Sequence, residues 1–469
     1  MKSIRYFLLL IVAVIVTGCI DDSISTSPSD QPVFSVDTLK MGIVFTEEVT
    51  VTHKFTVRNR HDKGMNISDI RLSGANAGLF RLNVDGMSGT TFQNVEIRAN
   101  DSIYVFVEAT LPANNAEIPI AVEANVDFLT NGVTTSVVLR ADGQDVNRLR
   151  AVTITEDTHF TAGKPYQIFD SLVVAEGKTL TLDAGADLRF HDGAIFIVRG
   201  TLISNGTVDK NVNIAGDRTG NVITNITFDL MSRQWNGLQF TASSRGNRMS
   251  HTHLRNTWYG VIVSGDGTTE SEPKLWLQNC RLRNSGDLVL EVYDADVYAV
   301  GCEFAEAANG VVALSGGTHV FNQCTFANYY LFSAIAGPAI ALSHLSPEDA
   351  DDSSTPYTAA EFSNCIIYGL GADIAPGDLT GTQVTLRNCL LKSNGTDDDN
   401  FISCLWDKDP LYYTVRNDYL FDYRVKPESP AIAAGDASLV RPDAAYDAYG
   451  LPRGSSPDLG AYVYVAPEE

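Results

Sequence analysis

The chain has 469 residues, with 34 Lys and Arg against 57 Asp and Glu, and a formal net charge of −23. That balance, without any basic run, excludes a nucleic-acid partner, because a phosphate backbone needs a Lys/Arg surface. It also disfavours a strongly anionic polysaccharide unless metal ions mediate the contact, and the length leaves room for two or three domains.

Lys2 and Arg5 precede an unbroken apolar run from Phe7 to Val16, too short to span a bilayer. Val16-Thr17-Gly18-Cys19 then places small residues before a cysteine. The segment resembles the lipobox of bacterial lipoproteins, which implies cleavage of residues 1–18 and acylation of Cys19. Acyl chains hold a soluble domain at a membrane by about 0.8 kcal/mol per buried CH₂. Asp21 and Asp22 beside that cysteine resemble the export tags of some Gram-negative surface lipoproteins, which implies an outer-membrane location with surface exposure. Residues 19–32, rich in Ser, Thr and Pro, have too few apolar groups to pack and are expected to form a flexible tether.

From 33 to 145 the apolar pattern has period two, as in Ser102-Ile103-Tyr104-Val105-Phe106-Val107. Short alternating runs punctuated by Gly, Asn and Asp predict antiparallel strands closing into a sandwich. Phe34-Ser35-Val36 and Phe55-Thr56-Val57-Arg58-Asn59, with Gly143 near the last strand, resemble immunoglobulin-like domains of the ASH type. This stretch has no cysteine, so its packing must be apolar. Its expected role is that of a spacer.

Residues 146–164 read as a connector. Beyond them one local setting recurs around five cysteines: Asn279-Cys280-Arg281-Leu282, Gly301-Cys302-Glu303-Phe304, Gln323-Cys324-Thr325-Phe326, Asn364-Cys365-Ile366-Ile367 and Asn388-Cys389-Leu390-Leu391. The intervals are 22, 22, 41 and 24 residues, the long one fitting either two coils or one coil with a long loop. A short, strand-rich repeat of this kind signals a β-solenoid. Asn or Gly before each cysteine can take positive φ and turn the chain sharply between strands. The cysteine and the residue two places on then point inward, because side chains alternate along a strand. Stacked coils make Cys280, Cys302, Cys324, Cys365 and Cys389 a ladder of buried hydrophobes rather than a metal or redox centre, since C-x-x-C spacing is missing.

Leu180-Thr181-Leu182, Ala194-Ile195-Phe196-Ile197-Val198 and Trp235-Asn236-Gly237-Leu238 continue the scheme upstream. This succession resembles the opening coils of right-handed parallel β-helix proteins of the pectin-lyase-like superfamily. Ser429-Pro430-Ala431-Ile432, with Asp447, Gly450, Pro452-Arg453 and Asp458-Leu459-Gly460, resembles the closing segment of surface-anchored members. The fold class is therefore expected to be all-β: an immunoglobulin-like β-sandwich, then a right-handed parallel β-helix over 165–469 that ends in a closing segment.

That superfamily includes lyases and glycosidases, but the clustered aspartates of its inverting glycosidases do not appear in register. A lyase needs a base facing a substrate carboxylate, and the outward arginines Arg281 and Arg283, with Arg255 one coil earlier, are the candidates. The competing expectation is a solvated arginine column paired with carboxylates on neighbouring coils. His251 and His253 would share a strand face but lack a third ligand, so no metal site is expected. Trp235, Trp258 and Tyr259 are the candidates for stacking on sugar rings. No cofactor is expected; acidic loops at Glu348, Asp349, Asp351 and Asp352 and at Asp397-Asp398-Asp399-Asn400 offer oxygens that suit Ca2+ without matching a defined calcium spacing.

The leading expectation is a non-catalytic surface lipoprotein whose helix face binds a glycan or an outer-membrane protein partner, with accessory service to a nutrient-uptake complex as one setting. A polysaccharide lyase or glycoside hydrolase, and an adhesive or structural stalk, are the alternatives.

Overall fold

The computed structural model describes residues 23–223, 226–266, 271–346 and 356–466. Residues 1–18 and Cys19 lie outside that set, as do 347–355, which carry most of the first acidic loop. The protein is all-β, and every described helical turn is a short 3-10 segment. Among the described residues no helix is long and apolar enough to cross a membrane. Two compact units divide at Asp145/Val146.

The first unit holds two five-stranded sheets. One runs Val33–Phe34, His53–Arg58, Ser102–Ala109, Phe80–Val84, Met87–Gly89, all antiparallel. The other runs Thr38–Phe45, Val133–Gln144, Ile120–Thr130, Met65–Ser73, Thr91–Ile97; only its first pair is parallel. Alternation sorts the faces: Ile103, Val105 and Val107 are buried while Ser102 and Tyr104 are exposed. The buried faces share one apolar core, with Val57 and Val105 from one sheet and Ile67, Val126 and Leu139 from the other. Asn59 ends its strand buried, donating to the carbonyls of Lys63, Ile97 and Arg98 and accepting from His61 N.

The described part of the expected tether is not free chain. Ile24 bridges Gly64, Ser25 N donates to Gly64 O at 2.8 Å, and Gln31 Nε2 reaches Thr130 O at 3.1 Å. Backbone hydrogen bonds need no apolar side chains, which is why composition alone missed this docking.

The second unit is a solenoid of three parallel ladders. The first includes Asp187–Phe190, Val212–Gly216, Thr252–Leu254, Arg281–Ser285, Glu303–Ala307, Thr325–Asn328, Ile366–Gly369 and Leu390–Leu391. The second includes Ile195–Val198, Gly237–Phe240, Val261–Ser264, Leu290–Tyr293 and Val312–Ser315. The third is the ten-stranded sheet from Thr158–Phe160 to Phe401–Ile402. The expected connector belongs to this unit: Asn147–Ile154 pairs parallel with Tyr166–Val174, and Thr158–Phe160 with Thr179–Leu182. Coiling thus begins near 147, not 165. Thr325 pairs directly with Ile366, so the 41-residue interval is one coil carrying long excursions.

Each cysteine follows a left-handed residue: Asn279 (φ 52), Gly301 (62), Gln323 (55), Asn364 (52) and Asn388 (51). Ser403 (φ 55) before Cys404 adds a sixth rung that the quoted motif did not include, and His251 (φ 41) before buried Thr252 is the cysteine-free version one coil earlier. The five ladder cysteines are buried and free, with Cys280 N 3.4 Å from Cys302 Sγ. Aromatic columns run beside them: Phe304 stacks on Phe326 at 5.2 Å and Phe321 on Phe362 at 5.1 Å. These spacings follow from the roughly 4.8 Å separation of paired strands.

After the last coil, Tyr412–Val415 and Phe421–Val425 form a hairpin, and residues 429–464 run back along the outside of the first ladder. This strap is the closing segment, but it covers a flank rather than the solenoid end. The turn residues hold it. Asn364 exchanges two 2.9 Å hydrogen bonds with the backbone of Asp436, and Asn322 does the same with Leu439 O (2.9 Å) and Arg441 N (3.1 Å). Outward Ala305, Ala327, Ile366 and Leu390 are apolar because Leu459, Ala461 and Tyr462 lie on them. The end itself is closed by Trp406, packed on Phe401 at 4.9 Å and donating to Asp397.

Candidate functional site

Leu254, Leu282 and Phe304 point into the core of the first ladder, so their neighbours must point out. One outward column is His253, Arg281 and Glu303, in direct register. Arg255 and Arg283 stand in the next, with Ala305 above Arg283. The strap and its hairpin end over these residues and complete one cavity, beside which lies a second. A 340 Å3 cavity is lined by Arg281, Arg283, Glu303 and, from the strap side, Tyr413, Asp422, Tyr449 and Tyr462. A 200 Å3 cavity beside it contains Asn213, Asp229, His253 and Arg255 and shares Arg281 and Arg283. The three arginines marked in the sequence therefore meet in one groove.

Two of them are paired, as expected for a column of charges on stacked coils. Arg283 grips Glu303 through Nε and, at 2.8 Å, through Nη2; Arg255 Nε lies 2.6 Å from Asp229. Tyr462 OH donates to Glu303 Oε2 at 2.5 Å. Burial opposes the Glu303 charge, yet Arg283, Arg281 and the Tyr462 hydroxyl outweigh it and hold the carboxyl below its ordinary range. Among the described residues the Arg281 side chain has no ion pair or hydrogen bond; its guanidinium packs on the Tyr449 (4.9 Å) and Tyr462 (5.2 Å) rings, which touch each other at 5.7 Å and so stand to one side of it. His253 is pushed down to about 3 by burial and by Arg281, Arg255 and Arg283, so it is neutral at physiological pH.

The pair His251 and His253 does not form a site. His251 occupies the left-handed turn between Asn247–Ser250 and Thr252–Leu254, so the two imidazoles are not on one strand face. Among the described residues no group of three His, Cys, Asp or Glu side chains gathers on a metal position. The carboxylates of the Asp397 loop are turned toward N–H groups: Asp397 accepts from Ser403 N, Cys404 N and Trp406 Nε1, and Asp398 from Asn400 N and Phe401 N.

The aromatic candidates separate. Trp235 is fully buried, stacked on Phe190 at 4.3 Å with Nε1 donating to Arg255 O, so it is a core side chain and not a sugar platform. Trp258 and Tyr259 are 38% and 50% exposed at a turn, their rings 6.3 Å apart, with Arg233 over Trp258 at 4.8 Å. Sequence reasoning missed Glu303 as the partner of Arg283, although its place 22 residues after Arg281 matches the coil length. It also missed Tyr449, Tyr462 and Asp422, for which the repeat contains no signal. A wider 670 Å3 depression on the first unit includes Arg81 and Glu108, which face each other on paired strands.

Fold and groove together define an all-β solenoid protein with an arginine- and tyrosine-lined cleft on the flank of its coils. No protein-family model matches the chain, and no curated protein does. Two solved structures show slight likeness. One is a protein of unknown function from Porphyromonas gingivalis (12% identity, TM-score 0.18, 25% of this chain and 49% of that one). The other is a family 123 glycoside hydrolase from Clostridium perfringens, studied for glycolipid glycan hydrolysis (8%, 0.18, 24% and 26%). The chain spans about half of the first and a quarter of the second, and likeness this slight carries no argument.

Proposed function

We propose that this chain is an outer-membrane surface lipoprotein, held through Cys19, that binds a glycan along the flank of its solenoid without cleaving it. In this reading the solenoid is a right-handed β-helix of the pectin-lyase-like kind, and the N-terminal sheets are an immunoglobulin-like spacer of the ASH type. The supporting observation is the groove at Arg281, where flat tyrosine rings and guanidinium groups line one open cleft. Aromatic faces stack on pyranose rings, while a few fixed polar groups set orientation. Exposed Trp258 and Tyr259 offer a second aromatic surface on the solenoid.

Catalysis by the arginines is disfavoured by their charge. A lyase base must lose a proton, yet Glu303 and the surrounding tyrosines push both Arg281 and Arg283 above the ordinary arginine value in spite of burial. Two measurements test the proposal. Isothermal titration against a panel of polysaccharides should show binding without new reducing ends or unsaturated products, weakened about tenfold in Trp258→Ala on the basis of stacking worth about 1 kcal/mol or more. Turnover, or the absence of any binding, rejects it. Intact-mass analysis of the membrane-extracted chain should find acyl mass on Cys19, and Cys19→Ala should release the protein into the soluble fraction; an unlipidated native chain removes the anchor.

A further inference from the structure

Building on that glycan-binding reading, we infer that Arg281 is the anchor for an acidic substituent, a carboxylate or a sulfate ester, on the bound glycan. The charges that line the cleft balance, unlike those of the whole chain. The described lining of the two cavities has three arginines (Arg255, Arg281, Arg283) and three carboxylates. Asp229, Glu303 and Asp422 are engaged by Arg255, Arg283 and Arg424 respectively. Because Asp422 is taken up by Arg424, which lines neither cavity, Arg281 is the lining arginine left without a carboxylate within ion-pair distance. In a chain of net charge −23, a guanidinium with a buried Nε that meets no hydrogen-bond acceptor, set in a concave site, marks where an anion is accepted.

The geometry supports the same assignment. The Tyr449 and Tyr462 rings pack against the guanidinium from one side, and among the described residues its N–H fork meets no protein acceptor. A carboxylate or sulfate offers two coplanar oxygens that such a fork can bind in bidentate fashion. His253, the next outward residue below Arg281, stays neutral and so does not compete for the anion as an ion-pair partner. Exposed Tyr413 on the cavity rim offers a ring face to the sugar that bears the acid.

The full chain is titrated at low and high salt with three matched oligosaccharides: a hexuronate, a sulfated sugar and their neutral counterpart. The acidic probes should bind at least tenfold tighter than the neutral one, and whichever acid is preferred identifies the source of the charge. Arg281→Gln should remove that preference, bringing the affinity for the acidic probes down to that for the neutral one. Arg281→Lys, which keeps the charge but not the fork, should retain part of it. Equal affinity for neutral and acidic probes, or an undiminished preference in Arg281→Gln, overturns the inference and leaves glycan binding standing. If no oligosaccharide binds but inorganic sulfate still raises the melting temperature of the wild type and not of Arg281→Gln, the anion site survives and the glycan reading falls. Silence toward every probe rejects both.

Discussion

Arg453→Met is expected to release the C-terminal strap, at a cost of about 4 kcal/mol, because it leaves several buried acceptors without donors. The guanidinium is 3% exposed and has no carboxylate partner within salt-bridge distance. Instead, it donates to Ala444 O (3.0 Å), Gln323 Oε1 (2.9 Å), Gly460 O (3.0 Å) and Ala461 O (2.7 Å), tying two passes of the strap to one turn of the solenoid. Burial pulls its pKa down to about 10, which still leaves it charged at neutral pH. Methionine matches the stem but not the donors. Hydrogen exchange should accelerate across 429–464 and in the outward face of the first ladder, while the inward Cys and Phe columns stay protected. An exchange pattern identical to wild type would show that the strap does not depend on this residue. Since the strap forms one wall of the cleft, the same variant should lose ligand binding without losing the coils.

Glu306→Gln is expected to stabilise the protein at pH 8 and to change little at pH 4.5. Glu306 is buried, left-handed at φ 63, and occupies a turn column otherwise filled by Asn256, Asn284 and Asn328. It accepts hydrogen bonds from Tyr423 OH, on the hairpin, and from Tyr329 N. Arg283 and Glu303 act on it with opposite sign, and burial dominates, pushing its pKa up to about 7 from an ordinary 4.5. A carboxyl raised on folding holds its proton more tightly in the native state. Its stabilising contribution is therefore complete below about 4.5 and is lost as pH rises toward 7 and beyond. A shift of about 2.5 pH units corresponds to about 3 kcal/mol at pH 8, the upper limit of what glutamine can recover. Paired melting curves of wild type and variant at the two pH values check this. A gain of equal size at both, or a loss at pH 8, would show that ionisation of Glu306 is not what strains this turn.

The repeat was legible because its causes are local. A left-handed residue, an inward cysteine and an inward apolar residue two places on are set by backbone sterics and strand alternation, and both act within four residues. Gln323 shows how far the pattern stretches, taking the same φ as its asparagine equivalents while its side chain accepts from Arg453. Cys404 breaks the count because it follows Cys389 by only 15 residues, short of the repeat length. Trp235 is a different case: residue type alone suits a sugar platform as well as a core, and only the stacked coil with Phe190 shows that it faces inward. Trp258 and Tyr259, on a turn between ladders, are exposed by the same logic of side-chain direction.

By itself, the sequence determined an all-β chain with a parallel coiled repeat, the inward columns, and three arginines presented outward from neighbouring coils. Each of these depends on periodicity or on a repeat of about 22 residues, and both can be counted along the chain. Only the tertiary structure decided which arginine lacks a carboxylate, and that the final residues wall the cleft instead of closing the end. Those facts rest on contacts such as Arg453 with Gln323, 130 residues apart, and Tyr462 with Glu303, 159 apart. No local pattern specifies such pairs, because they form where the outward faces of stacked coils leave small apolar and amide groups for a returning segment to cover.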